Sequence, residues 1–145
     1  VDFEVVQIAP ELFEDLLREP GVREWYSEFE EFPHIPGSVY VAAHAPGTIL
    51  FLAAQPANAC AFNVHVAAHP RHRQAAVLAA RSALTRLRQI VGSAVTLFTM
   101  IPADNRAAIA LARLMGFKQT GVIHGAYPRG ATRLDLHVYE ELWAA

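Results

Sequence analysis

The sequence predicts an α/β domain, a β-sheet flanked by helices, and three observations predict it. Residues 41–70 contain no Asp, Glu, Lys or Arg and read as β-rich runs split by tight turns. On both sides of this run, apolar residues recur at three- and four-residue steps, the helical period. The chain is 53% hydrophobic and 18% charged over 145 residues, which suits one well-filled core and argues against disorder. The reading is a single domain spanning 1–145, with the element order β-α-α-β-β-β-α-β-α-β-β.

Phe3 to Ile8 reads as the first strand, and Pro10 opens a helix, where proline is tolerated in the first turn. Leu12, Phe13, Leu16 and Leu17 make its apolar face, and Pro20-Gly21 stops it. Val22, Trp25, Tyr26, Phe29 and Phe32 give a second amphipathic helix, closed by Pro33 and Pro36-Gly37. Three strands follow: Val39–His44, Thr48–Ala54 and Ala59–Ala68, with turns at Ala45–Gly47 and Gln55–Asn58. Their lack of charge suits the centre of a covered sheet.

From Arg73 to Val91 the period is helical, with Val77, Ala80, Leu84, Leu87 and Val91 on one face and Gly92 as a stop. Ala94–Ile101 is a strand. Asp104 or Asn105 caps a helix over Arg106–Met115, which Gly116 ends. That helix is apolar nearly all round, so burial is expected. Lys118–His124 and Arg133–Tyr139 read as the last strands, joined by a Gly125–Thr132 loop.

The net charge of -2 hides an asymmetry. Residues 1–40 carry ten acids against Arg18 and Arg23, whereas residues 71–145 carry ten bases against four acids. A polyanionic ligand suits the second half and a cationic one the first; solvated helix faces explain the same pattern. The bases form no dense cluster and only Lys118 is a lysine, so a nucleic-acid partner is not expected. Cys60 is the one cysteine, which excludes an intrachain disulfide, and its apolar setting reads as core. With no signal-peptide pattern and no apolar run of about 18 residues, no membrane partner is expected and the cytoplasm is the expected compartment.

Two segments carry chemistry. A strand ending Val66-Ala67-Ala68-His69-Pro70 runs through Arg71-His72-Arg73 into a helix. Such a start offers unpaired backbone N–H groups and a favourable dipole, and Arg71 and Arg73 stand where phosphate oxygens would need neutralising. An ordinary helix start with exposed arginines is the competing reading. The second segment runs from Asn105 to Phe117 after a buried strand.

Together, the stretch from about Val64 to Phe117 resembles the GNAT acetyltransferase superfamily, and the element order agrees. Ala68-His69-Pro70 matches that family's strand end, and Arg73-Gln74-Ala75-Ala76-Val77-Leu78 falls on its pyrophosphate loop. Asn105, Ala108, Gly116 and Phe117 match its Asn-x-x-Ala…Gly-Phe segment. The resemblance implies a mixed, mostly antiparallel central sheet with an opening between two strands, acetyl-CoA as co-substrate, and an amine acceptor. It also implies pantetheine on the backbone of Val66 and Ala68, pyrophosphate on the N–H groups of Gln74, Ala75, Ala76, Val77 and Leu78 beside Arg71 and Arg73, and Asn105, with Ala108 at the cofactor, either reaching the pantetheine or fixing the opposite strand. Two positions depart from the pattern. Ala76 and Leu78 replace the loop glycines, and each Cβ narrows the approach to phosphate. Ala112 stands where many members carry a tyrosine that protonates the leaving thiolate.

Direct attack of an amine on a thioester needs a deprotonated amine, a polarised carbonyl and a protonated thiolate. Asn63 and His65 share one face of their strand, and His65 titrates near neutral pH, making it the candidate base; a core histidine satisfied by a hydrogen bond is the alternative. Tyr127, expected in a loop, is the candidate replacement acid, with His124 and Asp135 as further candidates. His69 and His72 lack the additional ligands a metal requires, so no metal is expected. Aromatics and acids over Trp25–Phe32 suit a wall for a cationic amine, small or peptidic. The expected function is therefore N-acyl transfer. The alternative is a degenerate member that binds coenzyme A or serves as an interaction module. The C-terminal edge strands are a candidate homodimer contact.

Overall fold

The computed structural model describes residues 4–18, 35–44, 48–68 and 74–141. These form β1 (Glu4–Gln7), α1 (Pro10–Leu17), β2 (Val39–His44), β3 (Thr48–Asn58), β4 (Ala61–Ala68), α2 (Ala76–Val91), β5 (Thr96–Pro102), α3 (Arg106–Leu114), β6 (Phe117–Arg129) and β7 (Thr132–Glu141). The sheet has seven strands in the order β1-β2-β3-β4-β5-β7-β6. The pairing of β4 with β5 is parallel; β1–β2, β2–β3, β5–β7 and β6–β7 are antiparallel. The mixed α/β architecture is the one predicted. Three helices lie among the described residues; the second N-terminal helix expected over Val22–Phe32 lies outside them, as do residues 45–47 and 69–73.

The chain divides into two compact units, Val1–Pro56 with Val64–Ser93, and Ala57–Asn63 with Ala94–Ala145. In the first, successive residues of β2 and β3 are buried: Tyr40 to Ala43 and Leu50 to Gln55. Side chains alternate along a strand, so consecutive burial means both faces are covered. One face carries Phe13, Leu17, Tyr40, Ala42, Phe51, Ala53 and Ala67. Phe13 of α1 sits edge-on to Phe51 at 5.2 Å and tilted to Tyr40 at 4.8 Å. Helix α2 packs on β2 through a stripe of small residues, Ala76, Ala79, Ala80 and Ala83, with Leu84 and Leu87. Gly92 ends it at φ 89°, a left-handed conformation that a side chain would strain.

The second unit is built on β5, β7 and β6. Leu97, Ile101, Phe117 and Tyr139 are buried on one face, and α3 packs against β6.

Several expectations are corrected. Cys60 is exposed, because β3 extends through Asn58 and leaves Ala59 and Cys60 as the turn. The Asn58 side-chain oxygen accepts the Cys60 N–H at 2.8 Å and holds that turn. Gln55 therefore lies in a strand and is buried. Leu12 is 44% exposed, since α1 presents only the Phe13–Leu17 side to the core. α3 buries only Ala112, with Leu114 half exposed, because one stripe of the helix meets the sheet. The Gly125–Thr132 loop is instead strand, with Gly130 and Ala131 as its turn, so Tyr127 sits in β6 opposite Leu134.

Candidate functional site

The segment β4–α2 follows the sequence reading closely. Val64 and Ala67 of β4 are buried, whereas Val66 and Ala68 are half-buried. α2 begins at Ala76, continuing a 3₁₀ turn at Gln74 and Ala75, and the Ala75 side chain makes no capping hydrogen bond. Alanine offers no acceptor, and the first turn carries no acid, so neither device that usually satisfies the leading N–H groups is supplied by these residues. Ala76 is buried against the sheet, Gln74 is exposed, and Val77 is half-buried. Leu78 is 57% exposed, so its side chain points outward from the helix. Among the described residues, this acid-free helix start suits an anion. Arg71, Arg73, His69 and His72 lie outside the described residues.

His65 is held by Gln55, its Nε2 lying 3.1 Å from Gln55 Oε1. A carboxamide oxygen only accepts, so Nε2 carries the proton and the lone pair falls on Nδ1. Burial lowers the His65 pKa from 6.5 to about 4, so the ring is neutral at pH 7. Sequence reasoning missed Gln55 by placing it in a turn; its signal was an amide embedded in an uncharged apolar run.

Asn63 is the last residue of β4 in register with β5, opposite Phe98. Its Oδ1 is buried without a hydrogen-bond partner.

Asn105 caps α3, its Oδ1 accepting the Ala108 N–H at 3.2 Å. The side-chain oxygen is thus engaged by its own helix. Ala112 is the one buried residue of α3. Tyr127 is half-buried, with the Arg129 guanidinium 5.6 Å from its ring centre.

Asp135 accepts the Gly125 N–H at 2.9 Å and lies 3.5 Å from His124 Nδ1. The Gly125 hydrogen bond, aided by His124, lowers the Asp135 pKa. These contacts hold a register shift between Ile123 and Tyr127, where Gly125 adopts φ 57°.

Among the described residues no group of three His, Cys, Asp or Glu is arranged for a metal ion, and no helix is long and apolar enough to cross a membrane.

No protein-family model and no curated protein sequence matches the chain. Solved structures do. The ribosomal-protein-S18-alanine N-acetyltransferase of Escherichia coli superposes with a TM-score of 0.68 at 20% identity, over 99% of this chain and 96% of that one. The spermidine N-acetyltransferase of Vibrio cholerae, solved with CoA and spermine, gives a TM-score of 0.77 at 12% identity, over 97% and 95%. The chain therefore shares the fold of these N-acetyltransferases over nearly its full length, at low sequence identity.

Proposed function

We propose that this chain is an acyl-CoA-dependent N-acyltransferase that acetylates an amine by direct attack. The observation that carries the reading is the near-complete match to an acetyltransferase fold, in which α2 of this chain has no acid in its first turn and no cap from the Ala75 side chain. Acetyl-CoA, when bound, supplies an activated acyl thioester.

In this reading the backbone of Val66 and Ala68 holds the pantetheine arm. The amides of Gln74, Ala75, Ala76, Val77 and Leu78, with Arg71 and Arg73, hold the pyrophosphate, and Asn105 fixes the start of α3 through the Ala108 amide. The amine nitrogen attacks the carbonyl carbon; the new C–N bond forms and the C–S bond breaks. His65 takes the amine proton. A base with a pKa of about 4 is weak, but attack makes the nitrogen strongly acidic, so a neutral imidazole suffices at that moment. Tyr127 is the hydroxyl assigned to the leaving thiolate. The acceptor is a small or peptide amine and the setting the cytoplasm.

Thermal unfolding tests the cofactor. Acetyl-CoA at a hundredfold excess over its Kd adds about 2.7 kcal/mol of stability, and an unmoved midpoint would sink the reading. Arg73→Ala should shrink the shift.

One observation favours a second reading, a non-catalytic coenzyme A-binding module: Ala112 has no proton to give. Thiol release from acetyl-CoA across a panel of amines separates the two. A thermal shift without thiol release selects the module.

A further inference from the structure

We propose that Arg129 is a positioning residue for Tyr127: its guanidinium steadies the ring and faces the phenolate left when the hydroxyl protonates the departing thiolate. This rests on the transferase reading and names the group that serves its acid.

Tyr127 and Arg129 lie two apart on β6, in regular register with Leu134 and Thr132, so both side chains leave the same face of the strand. The Arg129 guanidinium stands over the Tyr127 ring, 5.6 Å from its centre. Arg129 is held at both ends. Its Nη2 donates to Asp104 Oδ1 at 3.0 Å. Its carbonyl accepts the Thr132 hydroxyl at 2.9 Å, across the turn at Gly130 and Ala131. The backbone around Asp104 is fixed in turn: the Ala103 N–H donates to the Asp135 carbonyl and the Asn105 N–H to the Pro102 carbonyl, both at 2.9 Å. The cation thus spans from the hairpin end to the loop before α3, with the Tyr127 ring beside it.

Stability gives this arrangement little reason, since the side chains of Arg129 and Asp104 are 47% and 49% exposed and such ion pairs add little in water. Chemistry gives it one. As the C–S bond breaks, the sulfur takes the Tyr127 proton and the O–H electron pair stays on the phenol oxygen. A cation at this distance favours that anion, and a planar guanidinium over the ring also limits its swing. The phenolate then regains a proton from water, which the half-buried Tyr127 can reach, while His65 releases the amine proton to water. The help comes at thiolate release, after both substrates are bound, so it falls on the chemical step and not on either KM.

The test is a double-mutant cycle, with spermidine and a peptide bearing an N-terminal alanine as acceptors. Rates are taken in single turnover, so that product release does not mask the chemistry. Tyr127→Phe should slow the step about a hundredfold. Arg129→Gln should slow it about fivefold with both KM values unchanged. In the Tyr127→Phe background Arg129→Gln should cost nothing further, because the hydroxyl it serves is gone. Arg129→Lys, which keeps a cation within reach of Asp104, should recover most of the rate.

A rate unchanged by Arg129→Gln overturns the proposal. So does a fivefold loss that persists in the Tyr127→Phe background, or an Arg129→Lys variant no faster than Arg129→Gln. Melting guards against a purely structural role. A fall of several degrees shared by Arg129→Gln and Arg129→Lys would make Arg129 a strut and overturns the proposal as well. A parent that acetylates no amine at all fails the transferase reading itself. An active parent unharmed by Tyr127→Phe fails the acid assignment and this inference, and leaves the transferase standing.

Discussion

The β2–β3 ladder and the β6–β7 ladder are both antiparallel, yet they are buried differently. β2 and β3 bury Val41, Ala42, Ala43, Leu50, Leu52, Ala53 and Ala54 with no exposed surface. β6 buries only Phe117 and leaves Val122 39% and Ile123 44% exposed. The hydrogen-bond ladder is common to both, so cover makes the difference. In the first unit α1 and α2 supply it; in the second, α3 brings one narrow stripe. A strand's tolerance to change therefore follows what lies over it rather than how well it is paired.

Four measurements sharpen or break this contrast. Phe51→Ala should lose about 3–5 kcal/mol in urea unfolding, since it removes the ring that packs on Phe13. A loss under about 1 kcal/mol would mean that the first core relaxes as freely as a surface.

His65 comes next. Its folded pKa, about 4, lies below the ordinary histidine value of 6.5, so between those values the unfolded chain binds more protons. Stability is complete above pH 6.5 and declines as pH falls towards 4, by up to about 3 kcal/mol. His65→Gln should flatten that slope in unfolding measured over a pH series. An unchanged slope would place the acid sensitivity elsewhere.

Asn105→Ala removes the α3 cap and should cost about 1 kcal/mol, while Asn105→Asp should retain most of it. Equal losses for both would show that the cap bond carries little. The smallest effect is expected at Ile123→Ala, within about 0.5 kcal/mol. A change as large as that of Phe51→Ala would mean that β6 has cover the described residues do not show.

The fold was largely legible because its strongest signals are local. Charge-free runs marked β2, β3 and β4, and Gly92 and Gly116 marked helix ends where a positive φ is needed. The errors came where burial depends on distant packing. Cys60 sits in an apolar run yet lies at a turn, and the apolar α3 has one covered stripe. The long hairpin was cut short because Gly125 and Gly130 look like loop residues, although Gly125 serves a register shift inside a strand. For the candidate site, the helix start after β4 was legible from its position. The His65–Gln55 contact was not, since it joins residues ten apart on neighbouring strands. Nor was the unbonded Asn63 oxygen, because the absence of a partner is a property of the assembled interior.

The register shift in β6 has a further effect, since β6 is the last strand of the sheet on its side. Among the described residues no strand pairs with its outer side, and a long regular edge of that kind is a template for pairing with another chain. Between Ile123 and Tyr127 the strand carries two more residues than its partner β7, which interrupts the regular ladder there. Irregularities of this kind blunt an exposed edge, and Asp135, which accepts the Gly125 amide, holds this one in place.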